Sequence, residues 1–300
     1  MQISTNAFFR QNTENIQDLK SQTVKLQQQI STGTQVNVAS DDPVAFSDLA
    51  LLKARDSRLQ QYGRNIDIAR QSLSLEESSL TQATNILTRL HELSIQGAND
   101  TLTAADRKLM ANEVNGLSDS LFQLANTVDA NGKPVFGGFQ STLPFEKTAD
   151  GAVVYKGDSY ETKQSVGDHE TITTGFSGHN VFDTVPLGSG PSKSVFQIVK
   201  AMRDALANGD TPATGHDDLA AALDHITGQM AMVGSRTAVL DAAQTKLDSI
   251  KTATTSQMSI LQDTDMEKAI SELTQKMTNL NAAQASFVKI ADMSLFNYLK

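Results

Sequence analysis

The placement of proline constrains this chain more than any other feature. All six prolines lie between Pro43 and Pro212, leaving residues 44–133 and 213–300 free of them. A proline inside a helix costs about 3 kcal/mol, so proline-free stretches of that length permit very long helices. Glycine is distributed the opposite way. Ten of the 18 glycines, and eight of the 16 Phe and Tyr residues, fall within residues 130–200. The expected fold class is mainly α with an inserted β domain: a long-helix bundle or coiled-coil rod built from both chain ends, and a small antiparallel β-rich domain in the middle.

Periodicity places the helices. Leu52, Leu59, Ile66, Leu73, Leu80 and Leu87 recur at seven-residue spacing. Their companion column (Arg55, Tyr62, Ala69, Glu76, Ala83, Leu90) is mixed, which favours a helix packed in a bundle over a strict two-stranded zipper. Asp42 can cap the free N–H groups at its start, and Pro43 suits the first turn. Gly97 with Asn99-Asp100 ends it. Met110, Val114, Leu117, Leu121, Leu124 and Val128 predict a second helix. Leu219, Ile226, Val233, Leu240 and Leu247 predict a third long one, and these three helices can close a core together.

The chain ends carry two further apolar seams. One is Ile16, Leu19, Thr23, Leu26 and Ile30; the other is Met266, Ile270, Leu273, Met277, Leu280 and Phe287. Two lone helices return too little apolar burial to offset the entropy of ordering them, so these segments should need neighbours. Net charge is −9 overall. Residues 1–40 hold three basic and two acidic side chains and residues 264–300 four of each, so the negative charge resides on the body. Near-neutral termini can pack against copies of themselves while an acidic body stays solvated.

The middle reads as β-structure. Asn131-Gly132 signals a turn, with extended runs on either side of Gly137-Gly138 up to Phe145. Further strands are expected at 152–155, 160–166, 170–174 and 181–185, followed by a helix over about 195–207.

Chemistry is scarce. With no cysteine there are no disulfides, thiolate metal sites or cysteine nucleophiles. The acidic balance argues against nucleic acid as a partner. The longest apolar runs fall far short of the ~20 residues a membrane span needs. Met1-Gln-Ile-Ser-Thr-Asn6 shows neither the basic nor the apolar region of a cleavable signal. The five histidines are isolated, and His216-Asp217-Asp218 reads as acidic capping of a helix. Gly188-Ser-Gly-Pro-Ser-Lys193 lacks the spacing of a phosphate loop, and Asp129-Ala-Asn-Gly132 is too short for a calcium loop. Glu76-Glu77 reads as a solvated face, because neighbours on a helix point in different directions. No catalytic, cofactor-binding or metal residue is expected, and nothing supports an enzyme.

The order of short motifs carries a family likeness. Leu26-Gln-Gln-Gln-Ile-Ser-Thr-Gly33, then Val38-Ala-Ser-Asp-Asp-Pro-Val-Ala45, then the heptad helix, resemble the N-terminal region of bacterial flagellins and hook-associated proteins. Ser40-Asp41-Asp42-Pro43 is more similar to the hook–filament junction members of this flagellin family, because flagellins usually read Ala after the two acidic residues. Leu73-Ser-Leu-Glu-Glu-Ser78, Leu121-Phe-Gln-Leu-Ala-Asn126 and Asp129-Ala-Asn-Gly-Lys-Pro-Val-Phe-Gly-Gly138 agree. The likeness covers about residues 1–140 and, by pattern, the last ninety or so; the middle matches nothing specific.

The resemblance implies three parts. Residues 1–40 and 264–300 would pair as an assembly domain, residues 41–139 and 195–263 would form a helical bundle rod with a β-hairpin, and 140–194 would be an outer β-rich domain. It implies an extracellular structural adaptor, exported through the flagellar type III apparatus without a cleaved signal, forming a ring between hook and filament and templating flagellin polymerisation. Implied partners are copies of itself, a hook-side junction protein, flagellin, and an export chaperone at about residues 266–300. Subunit assembly would rest on Ile16, Leu19, Leu26, Ile30, Met266, Ile270, Leu273, Met277, Leu280 and Phe287, with Asp41, Asp42 and Pro43 as a helix-cap motif. Two other readings stay open: flagellin itself, and a helical-scaffold enzyme or sensor with its site in the β insert.

Overall fold

A computed structural model describes residues 2–188, 190–212 and 215–298, with the side chains of 7–188, 190–212 and 215–290. Met1 and residues 299–300 of the expected terminal segments, and Ser189 of the insert, lie outside the described residues. Among the described residues there are six α-helices, α1 (Gln2–Thr32), α2 (Pro43–Gly97), α3 (Ala104–Ala125), α4 (Val195–Asn208), α5 (Gly215–Gln262) and α6 (Met266–Tyr298), with a short-stranded insert following α3 and preceding α4 in the chain.

The chain divides into two compact units, one joining residues 1–58 to 250–300 and the other comprising 59–249. The dividing lines fall inside α2 and α5, beyond the edges at 40 and 264 that the sequence suggested for the terminal segments.

In the larger unit the heptad residues of two helices are the core. Leu59, Ile66, Leu73, Leu80 and Leu87 of α2 are buried, and so are Leu219, Ile226, Val233, Leu240 and Leu247 of α5. Arg70 of α2 pairs with Asp241 of α5 at 3.0 Å along the flank. Helix α3 adds Val114 and Leu121 to the core and packs on α4, which buries Ile198, Val199 and Met202. Both shorter helices begin at reciprocal caps. Thr103 accepts from the Asp106 amide and the Asp106 carboxylate from the Thr103 amide; Ser194 and Gln197 repeat the arrangement on α4.

Helix α3 ends at Ala125, so Val128, expected on it, lies beyond and bridges to Pro134 instead. The side chain of Asn126 ends the helix by acting as a strand partner: its amide donates to the Phe145 carbonyl and its oxygen accepts from the Phe145 N–H, both at 3.0 Å. Around Asn131-Gly132 the Asp129 carboxylate accepts from the amides of Asn131 and Lys133.

The insert is two separate antiparallel pairs. β1 (Phe145–Lys147) pairs with β2 (Val153–Tyr155), and β3 (Lys163–Ser165) with β4 (Thr171–Thr173). The expected strands at 152–155, 160–166 and 170–174 contract to three residues each. The one expected at 181–185 is not a strand. His179–Asp183 forms a single π-helical turn, because Val181 and Phe182 are adjacent and both buried, whereas a strand would send one of them to the opposite face.

Phe182 belongs to an aromatic core that joins the insert to α4. Its ring lies 5.2 Å from Phe136, 5.7 Å from Phe145 and 6.0 Å from Phe196. Gly178 sits against this cluster, and a Cβ there would lie 2.8 Å from both the Phe145 and Tyr155 rings. No larger residue fits.

One acidic side chain is not where the sequence suggested. Glu77 is exposed, but Glu76 is only 1% exposed. It occupies the companion column of α2 between Ala69 and Ala83, whose small side chains leave room for a carboxyl to lie inside.

Candidate assembly surface

The smaller unit is built on α1 and α6, which lie antiparallel against each other. Gly33, in a left-handed conformation at φ +72°, ends α1, and its amide reaches back to the Gln29 carbonyl at 2.9 Å. The segment that follows is stitched to the α5–α6 connection. Gln35 donates its amide to the Gln262 carbonyl at 2.7 Å, Thr264 donates to the Gly33 carbonyl at 2.9 Å, and Thr34 bridges Asp263.

Asp41, Asp42 and Pro43 then fix the turn into α2. Asp42 accepts from the amides of Val44 and Ala45, both at 3.0 Å, and Pro43 is the first residue of the helix. Asp41 faces the other way. Its carboxylate pairs with Lys25 of α1 at 2.9 Å and accepts from the amides of Asn37 and Val38. Lys25, aided by those amides, holds the Asp41 carboxyl below its usual range.

The two apolar seams meet only in part. Ile16, Leu19, Leu26 and Ile30 of α1 are half-buried, as are Leu273, Leu280 and Phe287 of α6, and Ala269 is buried. Phe9, which the sequence reading missed, closes the far end by packing edge to face on Phe287. Met266, Ile270 and Met277 behave differently, standing 43%, 50% and 49% exposed. At about 100° per residue they occupy one shoulder of the apolar arc, which is wider than α1 can cover. The six-residue seam expected on α6 thus divides into an inward edge and an outward edge.

More apolar surface lies at the α2 start and α5 end. Asp48, Leu51, Leu52, Gln257, Ile260 and Leu261 line an open groove of about 420 Å³, with Leu51 and Ile260 among the most exposed large apolar residues described. Sequence reasoning passed over them because heptad counting assigned only Leu52 to a face. The adjacent pairs Leu51-Leu52 and Ile260-Leu261 were the available signal, since neighbours about 100° apart on a helix widen its apolar face beyond a single heptad seam.

Elsewhere the polar residues serve structure. His179 pairs with Asp183 at 3.0 Å, His225 meets the Asn180 carbonyl at 2.9 Å, and Lys193 binds Asp218 of the first turn of α5 at 2.8 Å. Among the described residues no group of three or more His, Cys, Asp or Glu side chains is placed to hold a metal ion, and no helix is long and apolar enough to cross a membrane.

Comparison with known proteins identifies the architecture. A family model described as the bacterial flagellin N-terminal helical region matches residues 3–141. Flagellar hook-associated protein 3 of Salmonella typhimurium is 30% identical over 319 residues, covering 99% of each chain. This chain belongs to the flagellar hook-associated protein 3 family. The family's protein from Escherichia coli is 29% identical over 320 residues, covering 100% of both. The fold is also that of the flagellar hook-associated protein 3 crystal structure from Legionella pneumophila, with a TM-score of 0.66 at 22% identity over 71% of this chain and 98% of that one. This member of a flagellar family thus carries the paired terminal helices, helical bundle and small β insert described above.

Proposed function

We propose that this chain is the structural adaptor of the bacterial flagellum at the hook–filament junction. Copies assemble as a ring whose contacts run through the apolar arc of α1 and α6 and the groove at Leu51 and Ile260. One side of the ring seats on a hook-side junction protein, and the other presents a surface on which flagellin polymerises. The observation that carries this reading is the end-to-end similarity to proteins named flagellar hook-associated protein 3, on a chain whose terminal helices keep an apolar shoulder in solvent. Surface of that kind suits a subunit interface.

The same shoulder gives a chaperone something to cover before export, at about residues 266–300. Export unfolded fits a chain free of cysteine, where no cross-link can obstruct threading.

Deleting the gene and examining cells by negative-stain electron microscopy tests the reading. Bare hooks with flagellin lost to the medium are expected. Absent filaments with no flagellin in the medium would make this chain the filament subunit, a reading that the flagellin N-terminal match favours. Normal filaments would overturn both.

A further inference from the structure

The larger unit contains a buried carboxyl that no assembly role employs. Glu76 lies in the core of α2, flanked by Leu73 and Leu80. Its Oε1 accepts from the Phe176 amide at 3.3 Å, just beyond β4, and its Oε2 has no hydrogen-bond partner among the described residues. Phe176 is itself buried, and Arg236 of α5 lies over its ring at 4.0 Å. Arg236 donates Nη2 to Glu161 of the insert at 3.2 Å, while its Nη1 is buried without a partner among the described residues. Beside Glu76 is a cavity of about 60 Å³, lined also by Ser72, Thr162 and Thr174. A cavity of that size has room for water, which gives a proton a way out.

We propose that Glu76 is a protonation-controlled latch: neutral, it seats the segment around Phe176 on α2 and α5, and ionised, it favours release of that segment into solvent. Burial disfavours the charged form most strongly. The Phe176 amide and Arg236 from α5 favour that form, and Glu161 from the insert opposes it. Asp129 and Lys133 line the cavity from the loop after α3, with the Asp129 carboxylate already occupied by backbone amides. Burial outweighs all of these and pushes the Glu76 carboxyl up to about 8. With that segment released, the Glu76 carboxyl on α2 is in water and ionises in its ordinary range. Between that range and about 8, a rise in pH removes a proton from the released state alone and draws the equilibrium toward it.

Hydrogen exchange on the full chain, followed by mass spectrometry of peptides covering residues 171–178 and corrected for intrinsic chemical exchange, tests this. Protection should fall about tenfold per pH unit from about pH 5 to about 8 and then level off. In Glu76→Gln, a neutral isostere, it should stay flat. Equal pH responses in the two proteins, or no fall in the wild type, would overturn the latch. Should the variant fail to fold, the wild type alone decides. Loss confined to 171–178 while peptides around Leu240 keep their protection supports the proposal, and loss spread evenly through the unit refutes it.

Discussion

Phe9 of α1 and Phe287 of α6 meet edge to face, with ring centroids 5.6 Å apart and planes at 86°. The contact holds together helices that are almost the whole chain apart in sequence and that bury only one edge each. Phe287→Ala should lower the stability of the terminal pair by about 1–2 kcal/mol, from the lost ring contact and lost burial. Hydrogen exchange in α1 reads this directly, and unchanged protection there would show that the pair is held elsewhere.

The two edges of α6 predict different mutants. Met277→Asp places a charge on the exposed shoulder and should change monomer stability by less than about 0.5 kcal/mol while abolishing assembly and swimming. Leu280→Asp lies on the edge toward α1 and should damage both. Complementation of a deletion strain with each variant, alongside melting of the purified proteins, separates the effects. Wild-type-like swimming with Met277→Asp would remove the shoulder from the assembly surface.

Asp42 caps α2 through two amides. Asp42→Ala should cost about 1 kcal/mol, and Asp42→Asn, which keeps the acceptor, much less. Denaturant unfolding of the full chain compares them. Equal stabilities for Ala and Asn would mean that the cap contributes nothing.

Asp41 should show itself in acid. Lys25 and two amides lower its carboxyl, so its contribution is present above the ordinary carboxylate range and disappears as pH falls through the lowered value. Asp41→Asn should melt below the wild type near neutral pH, with the gap closing as pH falls through the lowered carboxyl value. A gap independent of pH would assign the effect to packing.

Gly178→Ala should destabilise the insert by about 1–3 kcal/mol, because the added methyl meets two aromatic rings and the Phe136 carbonyl. Near-ultraviolet circular dichroism reports the aromatic cluster. An unperturbed signal would show that the cluster can shift.

The helices were legible because each heptad is a property of one element. Leu59 to Leu87 and Leu219 to Leu247 could be read before any partner was known. The insert was less so, since its short strands are set by partners in space. Asn126, a helix-end residue, completes the edge at Phe145, and Val181 with Phe182 turn inward together because four aromatic rings converge there. Glu76 was misplaced by attention to its neighbour Glu77, although its column, shared with Ala69, Ala83 and Leu90, held the information. For α6 the arc was legible, but which residues α1 would cover was not, because that depends on how the two helices are rotated about their axes.

Immunogold labelling of this chain on intact, isolated flagella tests its placement most directly. The account predicts gold confined to a single band where the hook meets the filament. Gold along the length of the filament, or none on the flagellum, would contradict it.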